Sequence, residues 1–390
     1  MIFVGGSGID RLTAGAGIDI FYGGADRDVV YYTHTDVSIQ VDLQAGTGNG
    51  GYAEGDRYFD VDSIVGSQAD DHLKGSLDND TLHGWEGDDV VEGGAGDDTL
   101  FDSLGIDILN GGDGNDTVWS GDALITLVAD LAAGTTGNGD TLISIENLHG
   151  SNVADTLLGD AGINMLTGDA GNDLLNGRGG ADTLDGGTGI DTASYEDATG
   201  AIIVDLALGT ASDGDTLISI ENLIGGSAGD TLTGSTAANQ IEGRDGDDVI
   251  DGGSGNDTLL GGAGDDVLIG NANRDIMTGG DGADRFVFQS LSDSGIGGAT
   301  RDRIMDLDIA AGDRIDFSTL DIDPSTTARE ALTYIGTGAY SGTAGEVRIA
   351  DSANAGYTAV AIDSDGDGIS NFIIEVALPL ADFTADAFLL

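Results

Sequence analysis

Apolar residues recur every nine positions along most of the chain. From Gly243 to Val287 the period runs unbroken through GRDGDDVID, GGSGNDTLL, GGAGDDVLI, GNANRDIMT and GGDGADRFV. Each copy opens on Gly, carries an acid at its sixth place and an apolar residue at its eighth. Glycine at places one, two and four admits positive φ, so the first six places predict a tight loop. The last three, as in Thr258-Leu259-Leu260, predict a short strand whose middle side chain points to one face. Repetition winds loop and strand into a coil, and apolar side chains stack inward from one coil to the next.

The period returns in four blocks, residues 5–31, 66–119, 150–194 and 225–287, which hold three, six, five and seven units. Their sixth places are Asp10, Asp19 and Asp28; Asp71, Asp80, Asp89, Asp98, Asp107 and Asp116; Asp155, Asp173, Asp182 and Asp191; and Asp230, Asp248, Asp257, Asp266, Asp275 and Asp284. Asn164 and Asn239 replace the acid in the second units of the last two blocks. All twenty-one eighth places are apolar, Ala193 being the smallest.

Residues 32–65, 120–149 and 195–224 separate the blocks and are related to one another. Each holds an alternating phrase (Val41-Asp42-Leu43, Ala129-Asp130-Leu131, Val204-Asp205-Leu206) and a Gly-Asp landmark (Gly55-Asp56, Gly139-Asp140, Gly214-Asp215). The landmarks lie 84 and then 75 residues apart, a difference of one nonapeptide, so insert plus block is itself a duplicated module. Alternation predicts half-buried strands. These are expected to be longer strands that continue the coil, spacers rather than ligand sites.

Stacked coils bring the sixth-place acids into a column at about one strand spacing, roughly 4.8 Å. Two carboxylates at that separation repel by roughly 3 kcal/mol at an effective dielectric near 20. A hard divalent cation between loops relieves this, and calcium suits irregular shells of six to eight oxygens better than magnesium does. With no Cys and four His, soft metals have no ligand set. Ala69, Val153 and Ala228 stand where a place-four Gly belongs, so weaker binding is expected at block starts.

The whole composition follows this column. Seventy acids against 13 bases give a formal charge of −57, which excludes nucleic acid and anionic membrane surfaces as partners. Sixty-eight Gly and 5% aromatics leave little conventional core, so the metal is expected to contribute to folding. No apolar run approaches a membrane span, and Met1-Ile2-Phe3-Val4 runs into the first unit without a signal peptide. Phe3-Val4 reads like the end of a strand from an earlier unit. A fragment of a longer parent is therefore expected, with a natural start as the alternative.

These units resemble the RTX (repeats-in-toxin) calcium-binding nonapeptides, GGxGxDxUx with U a large apolar residue. The resemblance implies an all-β fold, a right-handed parallel β-roll with multiple Ca2+ between alternate loops. At one ion per pair of units two apart, about 13 ions would bind and bring the charge to about −31. Residues 288–390 are similar to the C-terminal β domain of serralysin-type metallopeptidases, through DRFVF (Asp284 to Phe288), DRIMDLDIAAGDRIDFS (Asp302 to Ser318) and AIDSDGDGISNFIIEV (Ala361 to Val376). Strands are predicted at Arg303–Leu307, Asp313–Phe317, Thr358–Ile362 and Phe372–Val376. The ending Asp386-Ala387-Phe388-Leu389-Leu390 resembles the uncleaved signal read by type I secretion machinery, which implies a secreted, extracellular protein.

Other motifs weigh less. Asp363, Asp365 and Asp367 have EF-hand spacing, but place twelve is Ile374 and the flanks read as strands, so a polar hairpin turn is favoured over a calcium site. Gly225-Gly226-Ser227-Ala228-Gly229 fits Gly-x-Ser-x-Gly only in nonapeptide frame. His34, His72, His83 and His149 form no His-Glu-x-x-His and are expected to face solvent. Trp85 and Trp119 are expected to pack singly on the roll surface, a sugar face being the weaker reading. The expectation is a non-catalytic, secreted, calcium-binding roll that folds after export. The alternatives are the C-terminal portion of a secreted hydrolase (metallopeptidase, lipase or polysaccharide-modifying enzyme) and an adhesin that meets polysaccharide or a cell surface.

Overall fold

The repeat's last three residues set the architecture. In the computed structural model, which describes residues 1–120, 125–323, 325 and 330–390, they form strands of three to six residues. Each strand pairs, in parallel, with the strand two units away. Thr99–Asp102 lies between Thr81–His83 and Thr117–Ser120, with Leu82, Leu100 and Val118 in register. Val90–Ala95 likewise lies between His72–Lys74 and Ile108–Asp113. Odd and even units thus build two sheets, and eighth-place side chains fill the space between them. All twenty-one are buried, from Leu12 at 9% exposed to Leu259 and Phe286 at 0%. At about 25 cal/mol per Å2 of apolar surface, this continuous column is the main apolar contribution to a chain with few aromatics. The regular secondary structure of the described residues is all-β apart from short 3-10 turns, and the roll predicted from the period is present.

The chain forms two compact units, Met1–Asp191 and Thr192–Leu390. In the first, the inserts depart from the sequence expectation. They are not longer strands but short three-stranded meanders. Gln40–Asp42 pairs in parallel with His72–Lys74 and Arg57–Phe59 in parallel with Ile20–Ala25, while Thr47–Asn49 runs antiparallel to both insert strands. Val128–Asp130, Thr135–Thr136 and Thr141–Ile143 repeat the pattern. Side-chain-to-backbone turns explain the reversal. The Asp42 and Asp130 carboxylates accept the N–H groups of Ala45 and Ala133, at 2.7 and 2.9 Å, and Gly46 and Gly134 then take φ of 64° and 69°. The alternation itself holds, since Ile39, Val41 and Leu43 are buried.

In the second unit, Ile203–Asp205, Thr210–Ala211 and Thr216–Ile218 form the third meander. Strand pairing there outlasts the nonapeptide. Arg303–Ile304 continues the sheet of Ile276–Asp281, and Arg314–Asp316 continues that of Arg285–Val287. The strand predicted over Arg303–Leu307 is thus only two residues long. Glu346–Asp351, Thr358–Asp363 and Phe372–Val376 close this end as an antiparallel meander, with Phe372–Val376 laid parallel on Arg303–Ile304. Phe288, Phe317 and Phe372 pack there with ring centroids 5.4–5.8 Å apart, Phe372 edge-on to the other two.

Candidate metal centre

The parallel register delivers the sixth-place residues into columns. The backbone N–H of each donates to Oδ1 of its equivalent two units on. This joins Asp71 to Asp89 at 2.7 Å, Asp89 to Asp107 at 2.9 Å, Asp155 to Asp173 at 2.8 Å and Asp173 to Asp191 at 2.8 Å. In the second unit it joins Asp230 to Asp248, Asp248 to Asp266 and Asp266 to Asp284, at 2.7–2.9 Å. All nineteen predicted acids and both Asn lie in these columns, and every one except Asp10 is buried.

What distinguishes the acids is the second oxygen. Oδ2 of Asp28, Asp89, Asp98, Asp116, Asp173, Asp248, Asp257, Asp266, Asp275 and Asp284 is buried with no hydrogen-bond partner. Orphaned buried oxygens of this kind are rare and call for a missing partner. Each faces its own place-one glycine. A Cβ on Gly261 would stand 2.3 Å from Oδ2 of Asp266 and 2.4 Å from the carbonyl oxygen of Gly279 in the next coil. Carboxylate and carbonyl oxygens therefore converge on a cradle that only glycine leaves open, and this is the donor chemistry of a hard cation. Burial, then the neighbouring carboxylates, pushes Asp98 and Asp266 up to about 7 and Asp89 and Asp275 to about 8.

At the starts of the three later blocks the second oxygen is already taken. Oδ2 of Asp71, Asp155 and Asp230 accepts the N–H of Ser67, Ser151 and Gly226, at 2.5, 2.5 and 2.7 Å. Asn164 and Asn239 need no cation either. Their Nδ2 groups donate to the carbonyls of Glu146 and Glu221, at 2.8 and 2.6 Å.

Further acids extend the columns and were not assigned from the sequence. Asp56 and Asp62 accept from the N–H groups of Asp19 and Asp28, Asp140 and Glu146 from Asp107 and Asp116, and Asp302 and Asp313 from Asp275 and Asp284. A signal existed. Each sits two residues before an inward apolar side chain, as in Asp56-Arg57-Tyr58, Glu146-Asn147-Leu148 and Asp302-Arg303-Ile304. In the inserts a hydroxyl occupies the second oxygen, Tyr32 Oη on Asp56 at 2.8 Å and Thr136 Oγ1 on Asp140 at 2.5 Å. Oδ2 of Asp302 stays bare, and burial pushes this carboxyl up to about 9.

The carboxylates of Asp363, Asp365 and Asp367 gather within 4.8 Å in the turn between two antiparallel strands. The turn's own Gly366 and Gly368 N–H groups hold both oxygens of Asp363, at 2.8 and 2.9 Å. His34 and His72 are exposed. His83 and His149 instead lie half-buried in a ring stack with Phe101 and Trp119, so neither these histidines nor the tryptophans stand alone.

The RTX calcium-binding nonapeptide repeat family matches four times, at residues 4–32, 65–100, 92–123 and 158–193. The peptidase M10 serralysin C-terminal family matches residues 210–386. Among solved structures, the AlgE6R3 subunit of the Azotobacter vinelandii mannuronan C5-epimerase is 30% identical over 42% of this chain and 78% of its own, with a TM-score of 0.22. The extracellular lipase LipA from Serratia marcescens is 14% identical over 72% of this chain, which spans 45% of LipA, with a TM-score of 0.19. At those scores neither structure bears on how this chain folds or acts. No curated protein matches the sequence.

Proposed function

Since the chain belongs to the RTX calcium-binding nonapeptide-repeat proteins and ends in a serralysin-type C-terminal region, we propose that its function is calcium-driven folding outside the cell. Asp28, Asp89, Asp98, Asp116, Asp173, Asp248, Asp257, Asp266, Asp275 and Asp284, with loop carbonyls of the coil two units away, would hold the ions; Asp10, Asp19, Asp80, Asp107, Asp182 and Asp191 complete the columns. Bound calcium supplies positive charge between carboxylates that otherwise repel. Block-start acids and the two Asn contribute weakly.

In the cytosol, with little free calcium, mutual repulsion keeps the chain extended and fit for a type I channel read through residues 288–390. Outside, binding and folding are one linked reaction. The observation that carries this reading is the row of bare, buried Oδ2 atoms opposite place-one glycines. A calcium titration of the stripped chain at pH 8, followed by far-UV circular dichroism and hydrodynamic radius, tests it. A cooperative coil-to-β transition with compaction is expected; a chain equally compact in chelator sinks the proposal.

The match to a serralysin C-terminal region favours one second reading, that these residues serve as the non-catalytic carboxy-terminal part of a secreted hydrolase. Fusing the chain behind an unrelated enzyme and scoring calcium-dependent recovery of that enzyme's activity separates the two roles.

A further inference from the structure

We infer that the outer face of the second repeat block carries a saccharide-binding cleft for a neutral pyranoside chain. Parallel register places the ninth-place residues His83, Phe101 and Trp119, and His149 of the following insert, in one row across four strands. Their ring centroids are 5.1, 5.3 and 4.3 Å apart, with planes within 28° of parallel. Nothing in the inward column requires this row, because place nine faces outward. It forms a stiff wall, and Trp85 leans against its end, 5.3 Å from His83, with 40% of its surface exposed.

Trp85 stands at place two of its unit and takes φ of 88°, the left-handed conformation that place two also adopts at Gly94 and Gly112 and, with side chains, at Asp169, Arg178, Arg244 and Asn271. Beside it opens a cavity of about 490 Å3, within the range of small-molecule sites and far larger than a bare ion requires. Trp85, His83 and Leu104 give it an apolar wall, while Glu86, Asp102 and Asn138 line it with polar groups. Asp102 is itself an exception, an acid at place one where the other units of its block carry Gly, and its Oδ1 is buried without a partner.

An apolar aromatic wall facing hydrogen-bonding acceptors suits a pyranose ring, which presents C–H groups on one face and hydroxyls at its edge. Among the described residues no Lys or Arg lines the cavity and two acids do, and the chain carries −57. Uronates and sulfated sugars are therefore repelled, which leaves uncharged sugars as the class that fits.

Trp85 and Trp119 are the only tryptophans in the chain, so intrinsic fluorescence reports this face directly. The calcium-loaded full chain should be titrated with cello-, manno-, xylo- and N-acetylchitohexaose up to about 10 mM, with a guluronate hexamer as the charged control. At least one neutral hexasaccharide is expected to shift the emission, and the guluronate is not. By calorimetry, Trp85→Ala should weaken binding roughly tenfold and Trp85→Phe should retain most of it. Asp102→Asn serves as an independent variant, expected to weaken binding several-fold. Circular dichroism of the calcium-loaded chain establishes that each variant folds. The inference is overturned if no neutral hexasaccharide binds, if guluronate binds as well, or if folded Trp85→Ala and Asp102→Asn both bind like the parent. None of these outcomes depends on whether calcium drives folding.

Discussion

Replacing Asp266 by Asn separates the charge of the acid column from its hydrogen bonding. Asp266 is fully buried, accepts the Asp248 N–H through Oδ1 at 2.8 Å, and donates its own N–H to Asp284 at 2.9 Å. Its Oδ2 is bare. Burial first, then Asp248 and Asp284, raises its carboxyl from 3.8 to about 7. A group that ionises at 3.8 unfolded and about 7 folded disfavours the fold by about 4 kcal/mol once fully ionised. The sign follows from the direction. The fold prefers the protonated acid, so without calcium no penalty exists below pH 3.8, and stability is lost as the pH rises towards about 7. Asn carries no charge, and Asn239 shows that the column admits an amide at this place.

Asp266→Asn is therefore expected to gain up to about 4 kcal/mol in calcium-free buffer at pH 8, and to hold its fold to a higher pH than the parent when calcium-free chains are titrated upward from pH 4. In saturating calcium the order reverses, because a carboxylate ligand has become a neutral amide. Urea unfolding at several calcium concentrations, followed by circular dichroism, should give two stability curves that cross. A variant less stable than the parent at every calcium concentration would refute the charge argument and leave Asp266 as a hydrogen-bonding strut.

Three other changes probe other parts of the same structure. Gly261→Ala places a methyl 2.3 Å from Oδ2 of Asp266 and 2.4 Å from the Gly279 carbonyl, so equilibrium dialysis should find at least one calcium fewer per chain. Leu259→Ala opens a cavity in the fully buried column and should cost about 2–5 kcal/mol in calcium-saturated urea unfolding. Glu375 is buried among Arg301, Arg303, Ser352 and Asn354, at 2.7–3.3 Å. Burial pushes its carboxyl up, but these donors outweigh that and hold it below the usual range. Glu375→Gln should cost about 3–5 kcal/mol, visible as earlier proteolysis within residues 288–390, and the loss should shrink in the acid range where the parent's Glu375 also protonates.

The inward column was fully legible in the sequence, because a strand's alternation ties every eighth place to one face whatever the loop before it does. The acids of the blocks were legible for the same reason. Asp56, Asp140 and Asp302 were not, since none stands in a whole nonapeptide while the fold constrains only the nonapeptide's end. Any connection that delivers an acid two residues before an inward apolar residue joins the column, and the meanders of the inserts are such connections. The ring row escaped for a related reason. Trp119 and His149 are thirty residues apart in sequence but adjacent in register, because the meander of Val128–Asp130, Thr135–Thr136 and Thr141–Ile143 lies between them along the chain. Turn chemistry at Asp42 and Asp130 likewise overrode the reading of long insert strands.

Two kinds of acid therefore share one column. In the block interiors Oδ1 accepts a backbone N–H from the preceding coil, as at Asp89, Asp107, Asp173, Asp248 and Asp266, and that bond is indifferent to metal. Oδ2 decides the rest. Where Tyr32 or Thr136 supplies a hydroxyl, or Ser67 and Ser151 an N–H, the acid is satisfied by protein alone. Where no such donor reaches it, as at Asp248, Asp257 and Asp266, Oδ2 stays buried and bare. Calcium dependence should thus be concentrated in the interiors of the blocks, with the starts of the three later blocks and the inserts acting as metal-independent ends. The bare Oδ2 of Asp302 extends the dependent stretch beyond the last repeat, into the coil on which the C-terminal meander rests.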